Sequence, residues 1–215
     1  METILFSACT KELLKGHFGL QQLWESPVLE QWFERAQSME LAEFEITHLQ
    51  MLQETLNRRC DDWNESELNQ YFIGPIVALI NFNSAYFCVF AERAIEAEIG
   101  QYRLAGKPDL MIAKGESSPK IPYFCFSEYK KQIAPEGNPV YQALGEMLVA
   151  RELNPHEHPI YGVGVTGKVW HFLVLHGQDY CVSKSFATDD EEIFEVVKML
   201  KALKEILSEI AKLDA

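Results

Sequence analysis

Two stretches decide the fold: Gly106-Lys107-Pro108-Asp109-Leu110-Met111-Ile112-Ala113 and Tyr123-Phe124-Cys125-Phe126-Ser127-Glu128-Tyr129-Lys130, joined by a polar turn from Lys114 to Pro119. The first is a short apolar run behind an acid. The second is rich in aromatic residues. Each reads as a strand, and together they make a hairpin. Side chains alternate faces along a strand, so Glu128 and Lys130 point the same way, and Phe124 and Phe126 share that side. A carboxylate and an amine on such a buried or cleft-facing surface need partners, because an unpaired buried charge is expensive. An ion pair satisfies both. A divalent cation held by Glu128 and a second carboxylate, with the amine beside it, also does so, and Asp109 is the candidate second carboxylate.

Outward from the hairpin, residues 64–80 read as a helix capped by Asn64 or Ser66, running through Glu67, Phe72 and Ile76 and bent near Gly74-Pro75. Residues 86–90 fit a strand and a buried helix equally well. Residues 142–152 read as a helix. Residues 161–166, 169–175 and 180–186 read as strands. At the N-terminal side, residues 28–59 carry a helical stripe of Leu41, Glu45, Leu49, Leu52 and Leu56. At the C-terminal end, Ile193, Val196, Leu200, Leu203, Leu207 and Ile210 alternate spacings of three and four along a long amphipathic helix. That seam fits packing on the sheet or a partner helix. The order of elements predicts an α/β fold on the α+β border, with a central sheet flanked by helices. It divides the chain into an N-terminal helical extension, 1–63, and a core with the C-terminal helix, 64–215.

Composition sets the bounds. The 215 residues are 47% hydrophobic and 24% charged, as in ordinary globular domains. The net charge of −13 argues against a surface coated for nucleic acid. The charge is uneven, however: residues 1–98 sum to −10, residues 99–151 to +2 and residues 152–215 to −5. The basic excess therefore lies around the candidate site. Cys9, Cys60, Cys88, Cys125 and Cys181 are odd in number and form no CxxC pair, which fits reduced thiols in a cytoplasmic protein. Ser7-Ala8-Cys9 lacks the basic segment of a lipoprotein signal. No apolar run reaches the roughly 18 residues of a membrane span.

The Pro108-Asp109 and Glu128-Tyr129-Lys130 motifs, with their hairpin, resemble the PD-(D/E)xK superfamily, which includes restriction endonucleases and the nuclease domains of type I restriction subunits. The likeness covers residues 64–186. It implies a restriction-endonuclease-like mixed sheet and a divalent-metal-dependent nuclease, with Mg2+ or Mn2+ as cofactor and DNA ahead of RNA as substrate. In that scheme Asp109 and Glu128 hold the metal, helped by Glu67 on the preceding helix and by the backbone carbonyl of Tyr129. Glu65 is the rival of Glu67. Lys130 orients the attacking water or stabilises the transition state. Gln142, on the following helix, is expected to touch the lysine or the nucleic acid. Residues 165–172 resemble a later hairpin of several such nucleases. The alternative reading is a catalytically inactive nuclease-fold protein that serves as a binding or assembly module. In it Asp109, Glu128 and Lys130 form a structural ion network. The N-terminal helices and the C-terminal helix are candidate surfaces for a second copy or a protein partner.

Other motifs carry less. Gly162-Val163-Gly164-Val165-Thr166-Gly167 spells GxGxxG, but a β-rich run follows where a dinucleotide site needs a helix. The glycines are expected to serve strand packing and a turn. His156-Glu157-His158, between two prolines, is expected to be an exposed loop. His171 and His176 have no paired ligand spacing. No cysteine has a neighbouring histidine to activate it. Trp24, Trp32 and Trp63 lie in stretches read as helical and are expected to serve core or interface.

Overall fold

The α/β alternation predicted above appears in a computed structural model that describes residues 1–133, 135–155 and 157–213. Among them the strands form two sheets. The larger holds eight: β2 (Gln21–Leu23), β10 (Asp179–Val182), β9 (Val169–His176), β8 (Ile160–Thr166), β7 (Lys120–Lys130), β6 (Leu110–Lys114) and β3 (Cys88–Ala91) in that order, with β11 (Phe186–Ala187) also paired to β9. It is mixed: β7 with β8 and β10 with β2 run parallel, and the other pairs antiparallel. The parallel β7–β8 step requires a crossover, supplied by α6 (Pro139–Leu153). The smaller sheet has the order β1 (Glu2–Leu5), β5 (Tyr102–Gly106), β4 (Ile95–Ile99).

One face of the large sheet is covered by α2 (Pro27–Gln37), α3 (Glu43–Arg59), α5 (Gly74–Ile80) and the long α7 (Glu192–Leu213). Trp32 is fully buried there, edge-on to Tyr161 and Phe172 at 5.2 Å each, and its Nε1 donates to the Met199 carbonyl at 2.8 Å. The α7 seam residues Ile193, Val196, Leu200, Leu203 and Leu207 are buried in this layer, so the helix packs within the fold.

The other face is covered by α6, and the small sheet lies over α6 in turn. A helix enclosed on every side is expected to be apolar all round, and every residue from Gln142 to Ala150 is buried. The glycines of β8 set how close α6 comes. A Cβ on Gly162 would meet Met147 Sδ at 2.7 Å, and one on Gly164 would meet Val140 at 3.0 Å. Gly167 makes the turn to β9 with φ +54. The GxGxxG stretch is thus strand packing and a turn, as its context predicted.

Several local expectations differ from the structure. The segment 1–63, read as a helical extension, also carries β1 and β2, which pair into the two sheets, and α1 (Lys11–Phe18). The helical stretch 28–59 is two helices, α2 and α3. Near Gly74-Pro75, α4 (Glu65–Leu68) continues through a π turn, Asn69–Ile73, into α5, and the Gly74 amide bonds the Asn69 carbonyl. Trp24 follows β2 rather than lying in a helix, and it is 85% exposed. Phe124 does not share the face of Phe126. A bulge beside Ala113 skips it, and it packs against Phe87 in the helical layer.

Candidate functional site

Register brings Asp109 and Glu128 together. Leu110 pairs with Ser127, so Asp109, one residue earlier on the antiparallel neighbour, lies across from Glu128. Asp109 Oδ2 accepts from the Tyr129 amide at 2.7 Å, which fixes its carboxylate against β7. Glu128 is buried and faces α6. Lys130 is 9% exposed at the end of β7, and its Nζ lies 3.8 Å from Oε1 of the half-exposed Glu65. The motif residues therefore form one cluster that opens to solvent at its Glu65 side.

α6 adds a group that sequence reasoning did not single out. Glu146 is completely buried, one turn beyond the equally enclosed Gln142. It interacts electrostatically with Glu128 and Asp109. Three carboxyl oxygens, Glu128 Oε2 and both of Glu146, are shielded from water and have no donor beside them other than a neighbouring carboxyl. Gln142 Oε1 is also without a partner. Burial, then hydrogen bonding to Asp109 and its charge, pushes the Glu128 carboxyl up to about 9. Burial and the charges of Glu128 and Asp109 push Glu146 well above the usual carboxylate range. Two facing carboxyls in a dry setting can share a proton or a cation, but they cannot both be charged unaided.

The fit to a divalent cation rests on those oxygens. Hard carboxylate oxygens suit Mg2+ or Mn2+, and Mg2+ takes one or two carboxylates while keeping several waters. Among the described residues, no group of three His, Cys, Asp or Glu side chains is set to hold a metal ion. Asp109 and Glu128, facing each other across β6 and β7, are the two carboxylates on which such an ion could draw.

The remaining candidates lie elsewhere. Glu67 turns back on its own helix: Oε2 accepts from the Asn64 amide at 2.9 Å, and its own amide donates to Asn64 Oδ1 at 2.9 Å. It is a cap, and Glu65 is the acid beside Lys130. Gln142 is buried under Gly137 rather than displayed on a surface. His156 of the His-Glu-His stretch lies outside the described residues. Burial pushes the Cys9 thiol up to about 12 and Cys60 to about 11, so neither is a ready nucleophile. Among the described residues, no helix is long and apolar enough to cross a membrane.

No protein-family model matches the chain, and no curated protein matches it. The site itself therefore carries the functional argument.

Proposed function

We propose that the protein is a divalent-metal-dependent phosphodiesterase that cleaves nucleic acid, DNA ahead of RNA. The observation that carries this reading is the buried carboxyl pair Glu128–Glu146, with three orphaned oxygens, beside Asp109 and Lys130. Such a pair is costly in a plain structural role, because its oxygens lose water and gain no donor beyond a proton shared between carboxyls. Its likeness to a PD-(D/E)xK arrangement supports the same reading.

Asp109 and Glu128 would hold the cation, with the Tyr129 carbonyl as a further donor. When bound, the cation supplies charge neutralisation at the phosphoryl group and lowers the pKa of water. Asp109 is oriented by the Tyr129 amide. Glu146 lies behind Glu128 and is hydrogen-bonded to it, a contact that lowers the Glu128 carboxyl and so eases loss of its proton. Lys130, near the opening, places a cation where the extra negative charge of a phosphodiester transition state develops.

The test is cleavage of single-stranded and duplex oligonucleotides in Mg2+ or Mn2+ by wild type, Asp109→Asn and Lys130→Ala. The reading expects activity in the wild type and its loss in both variants with folding kept. Cleavage unchanged in Lys130→Ala removes that residue from the mechanism. A second reading, a non-catalytic binding module, draws on the Lys130–Glu65 contact and, among the described residues, the lack of a closed ligand group. It expects no cleavage of any oligonucleotide by a well-folded wild type.

A further inference from the structure

Beyond the carboxyl site, the α6 face of the large sheet carries two adjoining clefts. The first, of about 340 Å³, is lined by Asn138, Tyr141, Thr166, His171, Gln22 and Tyr180 among others. It begins beside the carboxyl site: Thr166 is the strand partner of Lys130, and Asn138 caps α6. The second, of about 530 Å³, shares Gln22 and Tyr180 with the first and continues to Lys11, Lys15 and Trp24. The two therefore form a track across the sheet from Thr166 on β8 to β2. Three strand spacings separate those strands, so the track spans roughly 14 Å.

The far end has a composition unlike the rest of the molecule. In a chain of net charge −13, two lysines one helical turn apart on α1 face an indole that is 85% exposed. Trp32, Trp63 and Trp170 are all buried. Glu12 acts on Tyr180 and Glu25 follows Trp24, but neither lines the cleft. Lys11 Nζ donates to Gln22 Oε1 at 2.6 Å, which holds one ammonium over the cleft floor. Ammonium groups beside an open aromatic face are how proteins hold single-stranded nucleic acid: lysines follow the phosphates, and an unpaired base stacks on the ring. A duplex keeps its bases stacked on one another and offers no free face to the indole.

We infer that this track is a binding site for single-stranded nucleic acid, with Trp24 as a base-stacking platform and Lys11 and Lys15 as phosphate contacts. The inference rests on the phosphodiesterase reading for its direction, in that the strand passes Thr166 toward Lys130 and Asp109. It makes a single strand, or the frayed end of a duplex, the substrate class.

The test is binding of a labelled thymidine oligonucleotide of about 12 nucleotides, followed by anisotropy in EDTA so that cleavage plays no part. The wild type is expected to prefer it to a matched duplex. Trp24→Ala should weaken binding roughly 5- to 150-fold. Lys11→Ala/Lys15→Ala should reduce the salt slope by about 1.4, the value for two contacts on a single strand. Acrylamide quenching of the exposed Trp24 should fall when the strand binds, a readout that the three buried tryptophans do not mask. Equal binding by wild type and both variants overturns the inference, as does equal affinity for the duplex or no binding at low salt. Strand binding through Trp24 without metal-dependent cleavage supports the track and sinks the phosphodiesterase reading. Cleavage with unchanged binding in Trp24→Ala sinks the track alone.

Discussion

On one face of the large sheet, Trp32 is enclosed by Tyr161, Phe172 and the carbonyl of Met199. On the other, Glu146 is just as enclosed, with no donor for either oxygen but a neighbouring carboxyl. Charges around the helical layer are paired at its rim, as in Lys201 with Glu45 at 2.9 Å and Arg35 with Glu209 at 2.7 Å. Among the described residues, Trp170 Nε1 is the one orphan in that layer. The α6 layer instead buries two carboxyls and leaves Gln142 unsatisfied. Burial alone therefore does not set the two faces apart; the buried, unpaired carboxyl oxygens of the α6 face do.

If the α6 face is built for chemistry, its variants should change activity far more than stability. Asp109→Asn and Lys130→Ala are expected to lower metal-dependent cleavage by roughly 100-fold or more, with thermal unfolding little changed. The helical face should behave in the opposite way. Trp32→Ala is expected to cost about 3–5 kcal/mol in urea unfolding, with Mn2+ binding per folded molecule unchanged. Glu146→Met sharpens the contrast. Replacing an unsatisfied buried carboxyl by an apolar side chain of similar volume should leave stability equal or raise it by about 1–3 kcal/mol, while metal binding weakens. A loss of several kcal/mol would show that Glu146 has a structural partner.

The pH dependence follows from the same pair. Glu128 titrates near 9 in the fold, against 4.5 for an unperturbed glutamate. A carboxyl raised in this way is held neutral by the fold while the unfolded chain ionises. Its stabilising effect is therefore present below about 4.5 and is lost as pH rises toward 9. Urea titrations of metal-free protein should show stability declining across that window, and Glu128→Gln should flatten the decline. Glu67→Ala carries the smallest expected effect, about 1 kcal/mol from a lost helix cap, with cleavage intact. Reduced cleavage in that variant would return Glu67 to the site.

Much of this is legible in the chain. The hairpin, α6, β8, β9 and α7 follow from periodicity, and strand alternation puts Glu128 and Lys130 on one face. The β4–β5 hairpin is legible too, in the alternation Ile95-Glu96-Ala97-Glu98-Ile99, although the sequence reading placed no strand there. β1 and β2 are four and three residues long and pair with distant strands, so local pattern hardly marks them. The bulge at Phe124 depends on register with β6, which sequence does not display. Glu146 has a signal: it lies four residues after Gln142 in a helix otherwise apolar from Ala143 to Ala150. Reading that helix as enclosed, rather than amphipathic, requires the small sheet above it. The choice between Glu65 and Glu67 turns on the Asn64 cap, where Asn64 three residues before Glu67 is the spacing of a capping box.

The most direct test of the central claim is calorimetric titration of Mn2+ into wild type and Asp109→Asn. The account predicts saturable binding to the wild type, with heats that vary with the buffer because the carboxyl pair releases a proton. It also predicts loss of that binding in the variant. No Mn2+ uptake by a well-folded wild type, or binding unchanged in Asp109→Asn, would contradict the claim that these carboxylates form a metal site.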